Sequence, residues 1–187
     1  MGTGDGRAVL ARAAAEPRSL VIGVDASAAA MADASRRAAR SPGKGGLPNA
    51  IFVVAAAEAP PPELTGLAAV VTVTLPWGSL LEGVMGRDPR VAKGLARMVA
   101  TGGAIESLFS TAERDGRGLW AVDAGCGHAD AIASAWREVG LELEAFRSAT
   151  PIDLAGTPSS WARRLRLGAP GNDMRAAWRL TLRRASR

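Results

Sequence analysis

Short apolar runs alternate with longer stretches of helical composition along this chain. Leu20–Val24, Ile51–Val54 and Val70–Thr74 are apolar enough to be strands covered on both faces, and the Ala-rich segment Ser27–Arg40 lies between the first two. That rhythm predicts βαβ units with parallel strands. Ser27, two residues after Asp25, is placed to cap the helix, and the glycine and proline cluster Ser41–Pro48 ends it. Pro89 suits the first turn of a helix over Arg90–Val99 that Gly102-Gly103 stops, and a strand over Ala104–Phe109 follows. A long loop then carries Arg114, Asp115, Arg117 and Trp120. Beyond it, Asp130–Val139 reads as a helix, Leu141–Phe146 as a strand and Trp178–Leu182 as the last strand. Late strands at this spacing predict an antiparallel hairpin at the edge of a mostly parallel sheet. The expected architecture is α/β, in one domain spanning residues 1–187.

Composition narrows the setting. The single Cys126 has no partner for an internal disulfide, no apolar run approaches the roughly 18 residues of a membrane span, and the N-terminus lacks the basic and apolar regions of a signal peptide. A reducing, cytoplasmic setting is expected. The formal net charge is +5, and its distribution says more than its size: from Trp161 onward there are eight arginines against one acid, Asp173. Such a concentration suits a phosphate-bearing partner, although an arginine-rich solvated tail has the same composition. His128 and Cys126 are too few for a zinc site, so His128 is expected to be structural or exposed.

The N-terminal segment Gly2-Thr3-Gly4-Asp5-Gly6 opens a helix, and Asp25 follows about twenty residues later at a strand end, the spacing of a nucleotide-binding βαβ unit. Glycines let the backbone turn sharply and approach a ligand, and a carboxylate at the second strand end can accept both ribose hydroxyls. A further strand ending at Val54 leads into Ala55-Ala56-Ala57-Glu58, which brings small side chains and one carboxylate to the adenine end of the same crevice; Glu58 is the candidate acceptor for the adenine amino group. A glycine loop of this kind belongs after a strand, and here Met1 alone precedes it, so the central strand is expected to be missing and the chain to be N-terminally truncated.

After Val70–Thr74 comes Leu75-Pro76-Trp77-Gly78-Ser79. Amino-methyltransferases acting on adenine N6 carry an Asn or Asp, two prolines and an aromatic residue here, and the side chain of that Asn or Asp accepts from the exocyclic amine. The Leu75 side chain cannot accept, and a site without that acceptor suits a ring nitrogen, which already presents a lone pair. Trp77 offers one stacking face and Trp161, in Ser159-Ser160-Trp161-Ala162-Arg163-Arg164, a second for a base drawn out of its helix. Trp136 and Trp178 are instead expected in the core, with their indole N–H groups satisfied.

Together the Gly2–Gly6 loop, the segment Ile22–Ser27, Ala55–Glu58, Thr74–Gly83 and Ser159–Leu165 resemble the kanamycin-apramycin resistance 16S rRNA methyltransferases, a match running through essentially the whole chain. Pro76-Trp77-Gly78-Ser79-Leu80-Leu81 and the distal Ser159-Ser160-Trp161-Ala162-Arg163-Arg164-Leu165 are specific to that family, whereas the glycine loop and Asp25 are shared by most class I methyltransferases. The resemblance implies a Rossmann-like fold, S-adenosyl-L-methionine as methyl donor, and N1 methylation of adenine 1408 in the decoding site of the 30S subunit, which confers aminoglycoside resistance. It implies cofactor contacts from Gly2, Thr3, Gly4, Asp25, Ala26, Ala56, Ala57, Glu58, Leu75, Trp77 and Ser79. It places Trp77 and Trp161 on the flipped adenine, and Arg36, Arg37, Arg40, Arg114, Ser159 and Arg164 against rRNA, with the enzyme acting as a monomer off the membrane. Two departures stand out: the missing strand, and Thr101-Gly102-Gly103 where the family has proline-glycine-glycine. Competing readings are a methyltransferase acting on tRNA or a small molecule, and an inactive fragment that keeps an rRNA-facing surface without holding cofactor.

Overall fold

The computed structural model describes residues 1–112, 126–155 and 175–186. The chain divides into two compact units, Met1–Ala57 and Glu58–Arg187.

The first unit runs α1 (Arg7–Ala15), β1 (Val21–Asp25), α2 (Ala28–Ala38) and β2 (Ala50–Val54). β1 and β2 pair in parallel, from Val21 opposite Ala50 to Asp25 opposite Val54, as the βαβ rhythm requires. Ser27 caps α2 by accepting the Ala30 N–H at 3.2 Å, which explains why the helix begins immediately after β1. Val9, Leu10 and Ala13 of α1 share a core with Ala34 and Ala38 of α2 and with Ala50, and Phe52 packs against it. The small residues bring the helices close. At Gly6, where φ is 71°, an added Cβ would lie 2.9 Å from the Phe52 ring and closer still to Ala34, so only glycine turns the chain into α1 here.

The second unit runs β3 (Ala68–Thr74), α3 (Gly78–Val84), α4 (Pro89–Met98), β4 (Val99–Ala112), α5 (Cys126–Glu138), β5 (Glu142–Ser148), α6 (Pro151–Ala155) and β6 (Arg175–Arg183). Its four-stranded sheet has the order β3-β4-β6-β5; β3 and β4 are parallel, and β6 is antiparallel to both of its neighbours. The late antiparallel arrangement expected from the spacing is present, with β5 at the edge. Among the described residues β1 pairs only with β2 and β3 only with β4.

Trp136 is fully buried and donates its indole N–H to the Val84 carbonyl at 3.0 Å, tying α5 to the end of α3, while Trp178 is buried with its ring stacked 5.2 Å from that of Phe146. Both are core residues, as expected. Two expectations fail. β2 and the start of β3 are not covered on both faces, since Ile51 is 42%, Val54 57% and Val70 40% exposed. Gly102-Gly103 do not stop α4: that helix ends at Met98, Val99 is already extended, and β4 runs through both glycines. A Cβ on Gly103 would meet the carbonyl oxygens of Ala68, Ala69 and Ala100, each at 2.9 Å, so the glycine serves the close approach of β3 to β4 at their register shift. Among the described residues, no helix is long and apolar enough to cross a membrane.

Candidate nucleotide site and nucleic-acid interface

In the first unit the N-terminal loop folds back on the carboxyl end of β1. The N–H groups of Gly2 and Thr3 donate to the Val24 carbonyl at 2.9 and 3.2 Å, and the Thr3 hydroxyl donates to the same oxygen at 3.1 Å. The Gly4 N–H donates to Oδ2 of Asp25 at 2.8 Å, and the other carboxylate oxygen accepts the Ser27 N–H at 2.9 Å. The Asp25 carboxylate therefore joins the loop to the start of α2. Each of its oxygens keeps a further acceptor site. Gly2 and Gly4 have φ of 70° and 56°, and above Gly4 a Cβ would find no atom within 4 Å, so the loop presents an open backbone face. Ala26 is exposed at the same strand end, and Ala56 and Ala57 follow β2, whose register brings Val54 opposite Asp25.

Glu58, Leu75, Trp77 and Ser79 belong to the second unit. Glu58 is exposed; its charge contributes to raising the pKa of the Arg90 guanidinium, after the larger effect of Asp88, whose carboxylate caps α4. Leu75, Trp77 and Ser79 follow one another from the end of β3 into α3. Leu75 is the one non-glycine residue with positive φ among the described residues, at 49°; it is 5% exposed, and its N–H donates to the Leu108 carbonyl of β4 at 2.6 Å. Pro76 is buried, and Trp77, extended at the N-cap of α3, is 44% exposed. A strained, anchored turn thus carries a large aromatic ring outward, an arrangement that concentrates at working sites.

The arginines expected to face rRNA differ from one another. Arg36 of α2 is ion-paired with Asp33 one turn earlier on the same helix, whereas Arg37 has no carboxylate partner among the described residues; Arg40 lies just past the end of α2, and all three are exposed. Trp161, Ser159, Arg164 and Arg114 lie outside the described residues. Among the described residues no group of three or more His, Cys, Asp or Glu side chains is placed to hold a metal ion. Arg7 is exposed on the first turn of α1, directly after the glycine loop.

Residues 1–179 match the family model NpmA, described as 16S rRNA (adenine(1408)-N(1))-methyltransferase. The chain is 36% identical over 180 residues to the 16S rRNA (adenine(1408)-N(1))-methyltransferase of Streptoalloteichus tenebrarius, covering 88% of this chain and 78% of that protein. It is similar to the crystal structure of the antibiotic-resistance methyltransferase Kmr, with a TM-score of 0.80 and 34% identity over 100% of this chain and 85% of that one. A tryptophan-to-alanine mutant of the 16S rRNA (adenine(1408)-N(1))-methyltransferase from Catenulisporales acidiphilia, solved with cosubstrate SAM, superposes with a TM-score of 0.82 at 32% identity, covering 99% of this chain and 84% of that one.

Proposed function

The chain belongs to the 16S rRNA (adenine(1408)-N(1))-methyltransferase family, and from that membership we propose that it transfers the methyl group of S-adenosyl-L-methionine to N1 of adenine 1408 in the assembled 30S subunit, conferring aminoglycoside resistance. The observation that carries the reading on this chain's own residues is the Gly2–Gly6 loop, held over the end of β1 by Val24 and Asp25 with an open face at Gly4. That cradle fits a nucleoside-bearing cosubstrate: backbone approaches closely where no side chain intervenes, and Asp25 retains acceptor capacity for ribose hydroxyls.

In this reading Gly2, Thr3, Gly4, Asp25 and Ala26 hold the ribose and amino-acid portions, and Ala56, Ala57 and Glu58 the adenine. Family membership supports assigning Leu75 and Ser79 of the second unit to the cosubstrate as well. S-adenosyl-L-methionine supplies a methyl group on a cationic sulfur. Trp77 and Trp161 clamp the flipped target base and orient its N1 for in-line attack. N1 of adenine carries no proton, so the attacking step requires no general base, and positioning and water exclusion supply the rate. The product base is cationic, and an indole face stabilises that developing charge. Arg36, Arg37, Arg40, Arg114, Ser159 and Arg164 meet rRNA backbone; such contacts fix register, and selection rests on the folded shape of the 30S decoding region. The enzyme acts as a monomer in the cytoplasm, where its ribosomal substrate resides.

Methyl transfer from radiolabelled S-adenosyl-L-methionine to 30S subunits, 50S subunits and tRNA tests the reading. Label should enter 30S particles alone and produce a reverse-transcription stop at adenine 1408. Label in tRNA, or no transfer to any substrate, would overturn it.

A further inference from the structure

A cleft of about 430 Å³ opens on the first unit between α1, α2 and the turn that follows α2. Arg7 and Arg37 stand at it from two different helices, and Leu10, Ala11, Ala14 and Leu47 give it an aliphatic surface. It is distinct from the open face of the glycine loop, since none of Gly2, Thr3, Gly4 or Asp25 lines it. Its far wall is fixed in place: the Leu47 N–H donates to the Ala38 carbonyl at 2.9 Å, and the Gly46 N–H to the Ser41 carbonyl at 3.1 Å, so the turn is built onto the C-terminal end of α2.

The charges at this cleft are available for a ligand. Arg12 is paired with Glu16 and Arg36 with Asp33, but Arg37 has no carboxylate partner among the described residues. Arg7 meets Asp5 only at 3.5 Å, with both side chains largely exposed, a contact that an incoming phosphate can replace. Arg40 and Lys44 add positive charge on the adjoining turn. Two guanidiniums beside an aliphatic floor, in a volume suited to a small ligand, match a group that is anionic at one end and weakly polar at the other.

We propose that this cleft receives one nucleotide of 16S rRNA, its phosphate between Arg7 and Arg37 and its ribose and base against Leu10, Ala14 and Leu47. The inference rests on the proposed 30S substrate and enlarges the rRNA-facing surface from α2 onto α1. It makes Arg7 a binding residue and gives a role to Arg37, which, unlike Arg36, has no carboxylate partner among the described residues. It also gives part of the contact surface a shape, where α2 alone would present only exposed charge.

Binding of the full chain to 30S subunits as a function of salt, with Arg7→Ala and Ala14→Glu, tests the proposal; titration with S-adenosyl-L-methionine serves as the folding control. Ala14 is exposed on α1 and glutamate is a good helix former, so the second variant blocks the cleft without disturbing the core. Arg7→Ala should weaken 30S binding by about five- to tenfold and reduce the slope of log affinity against log salt by about one, the signature of a lost phosphate contact. Ala14→Glu should weaken it at least as much, and both should bind S-adenosyl-L-methionine like the parent chain. Parental 30S affinity and slope in both variants would overturn the cleft while leaving the proposed reaction intact. A fall in affinity with an unchanged slope in Arg7→Ala would assign the surface to a ribosomal protein and overturn the nucleotide. A parent chain that neither binds nor methylates 30S would overturn the proposed reaction and this site together.

Discussion

The carboxylate of Asp25 accepts the Gly4 N–H at 2.8 Å, so the acid at the end of β1 is a structural member of the loop beside it. Its second oxygen accepts the Ser27 N–H, and removing the carboxylate would release the loop and the first turn of α2 together. Hydrogen bonds to a charged acceptor contribute about 1.5–3 kcal/mol each. Asp25→Asn keeps the size but turns an N–H donor toward one of the two backbone donors. It should therefore raise the Kd for S-adenosyl-L-methionine by about tenfold or more and also lower Tm, with Asp25→Ala at least as damaging. Calorimetric titration and thermal melts read the two effects; a Kd within twofold of the parent would remove Asp25 from the cofactor site.

Trp77 is 44% exposed at the N-cap of α3 and is not one of the buried core side chains. Stacking on a base contributes about 1–3 kcal/mol by alanine substitution, so Trp77→Ala should lower kcat/KM on 30S subunits by about 10- to 100-fold with little change in Tm. Trp77→Phe retains a face for the cationic product and should keep more activity than the alanine variant. Equal losses in the two variants would remove the aromatic face from the mechanism.

Local chemistry explains which parts of the fold could be read in advance. The βαβ rhythm, the Ser27 cap and Pro89 in the first turn of α4 depend on residues near in sequence, and the structure contains all three. Trp136 was legible as core because its helix pattern left it on the inner face, although its acceptor, the Val84 carbonyl, lies 52 positions away. The failures depend on distant backbone. Gly103 reads as a helix stop until β3 is placed against it, and the positive φ of Leu75, a residue bonded to Leu108 of the neighbouring strand, has no local signal. The contrast between Arg36 and Arg37 was equally hidden, since three neighbouring arginines look alike until one of them turns toward Asp33.

Asp153 offers a pH test in the second unit. Two hydrogen bonds from Arg147, at 2.7 and 3.1 Å, together with the Thr150 N–H and hydroxyl, hold its carboxyl well below the usual aspartate range, with Arg147 the largest cause. A depressed folded-state pKa contributes stability that is complete above the ordinary value of about 3.9 and is lost as pH falls through the folded value. The stability difference between the parent chain and Asp153→Asn should therefore be constant near neutrality and narrow only below about pH 4. Denaturant midpoints measured from pH 7 downward check this; a difference that shrinks between pH 7 and 5 would point to another titrating group.

Leu75 sets backbone strain against side-chain burial, and two substitutions separate them. A non-glycine residue in the left-handed region costs about 1–2 kcal/mol, and truncating a buried leucine to alanine costs about 2–5 kcal/mol. Leu75→Ala removes the buried side chain and keeps the strained backbone at φ 49°. Leu75→Gly removes both, so it recovers the strain while losing the same packing. The usual order, in which glycine is worse than alanine by about 0.5–1 kcal/mol inside regular elements, should therefore invert, with Leu75→Gly at least as stable as Leu75→Ala by denaturant midpoint. Activity should divide the other way if Leu75 positions the ring of Trp77: glycine loosens the turn and raises KM for 30S subunits further than alanine does. An alanine variant that is both more stable and less active than the glycine variant would show that the turn is unstrained and that the ring finds its place without it.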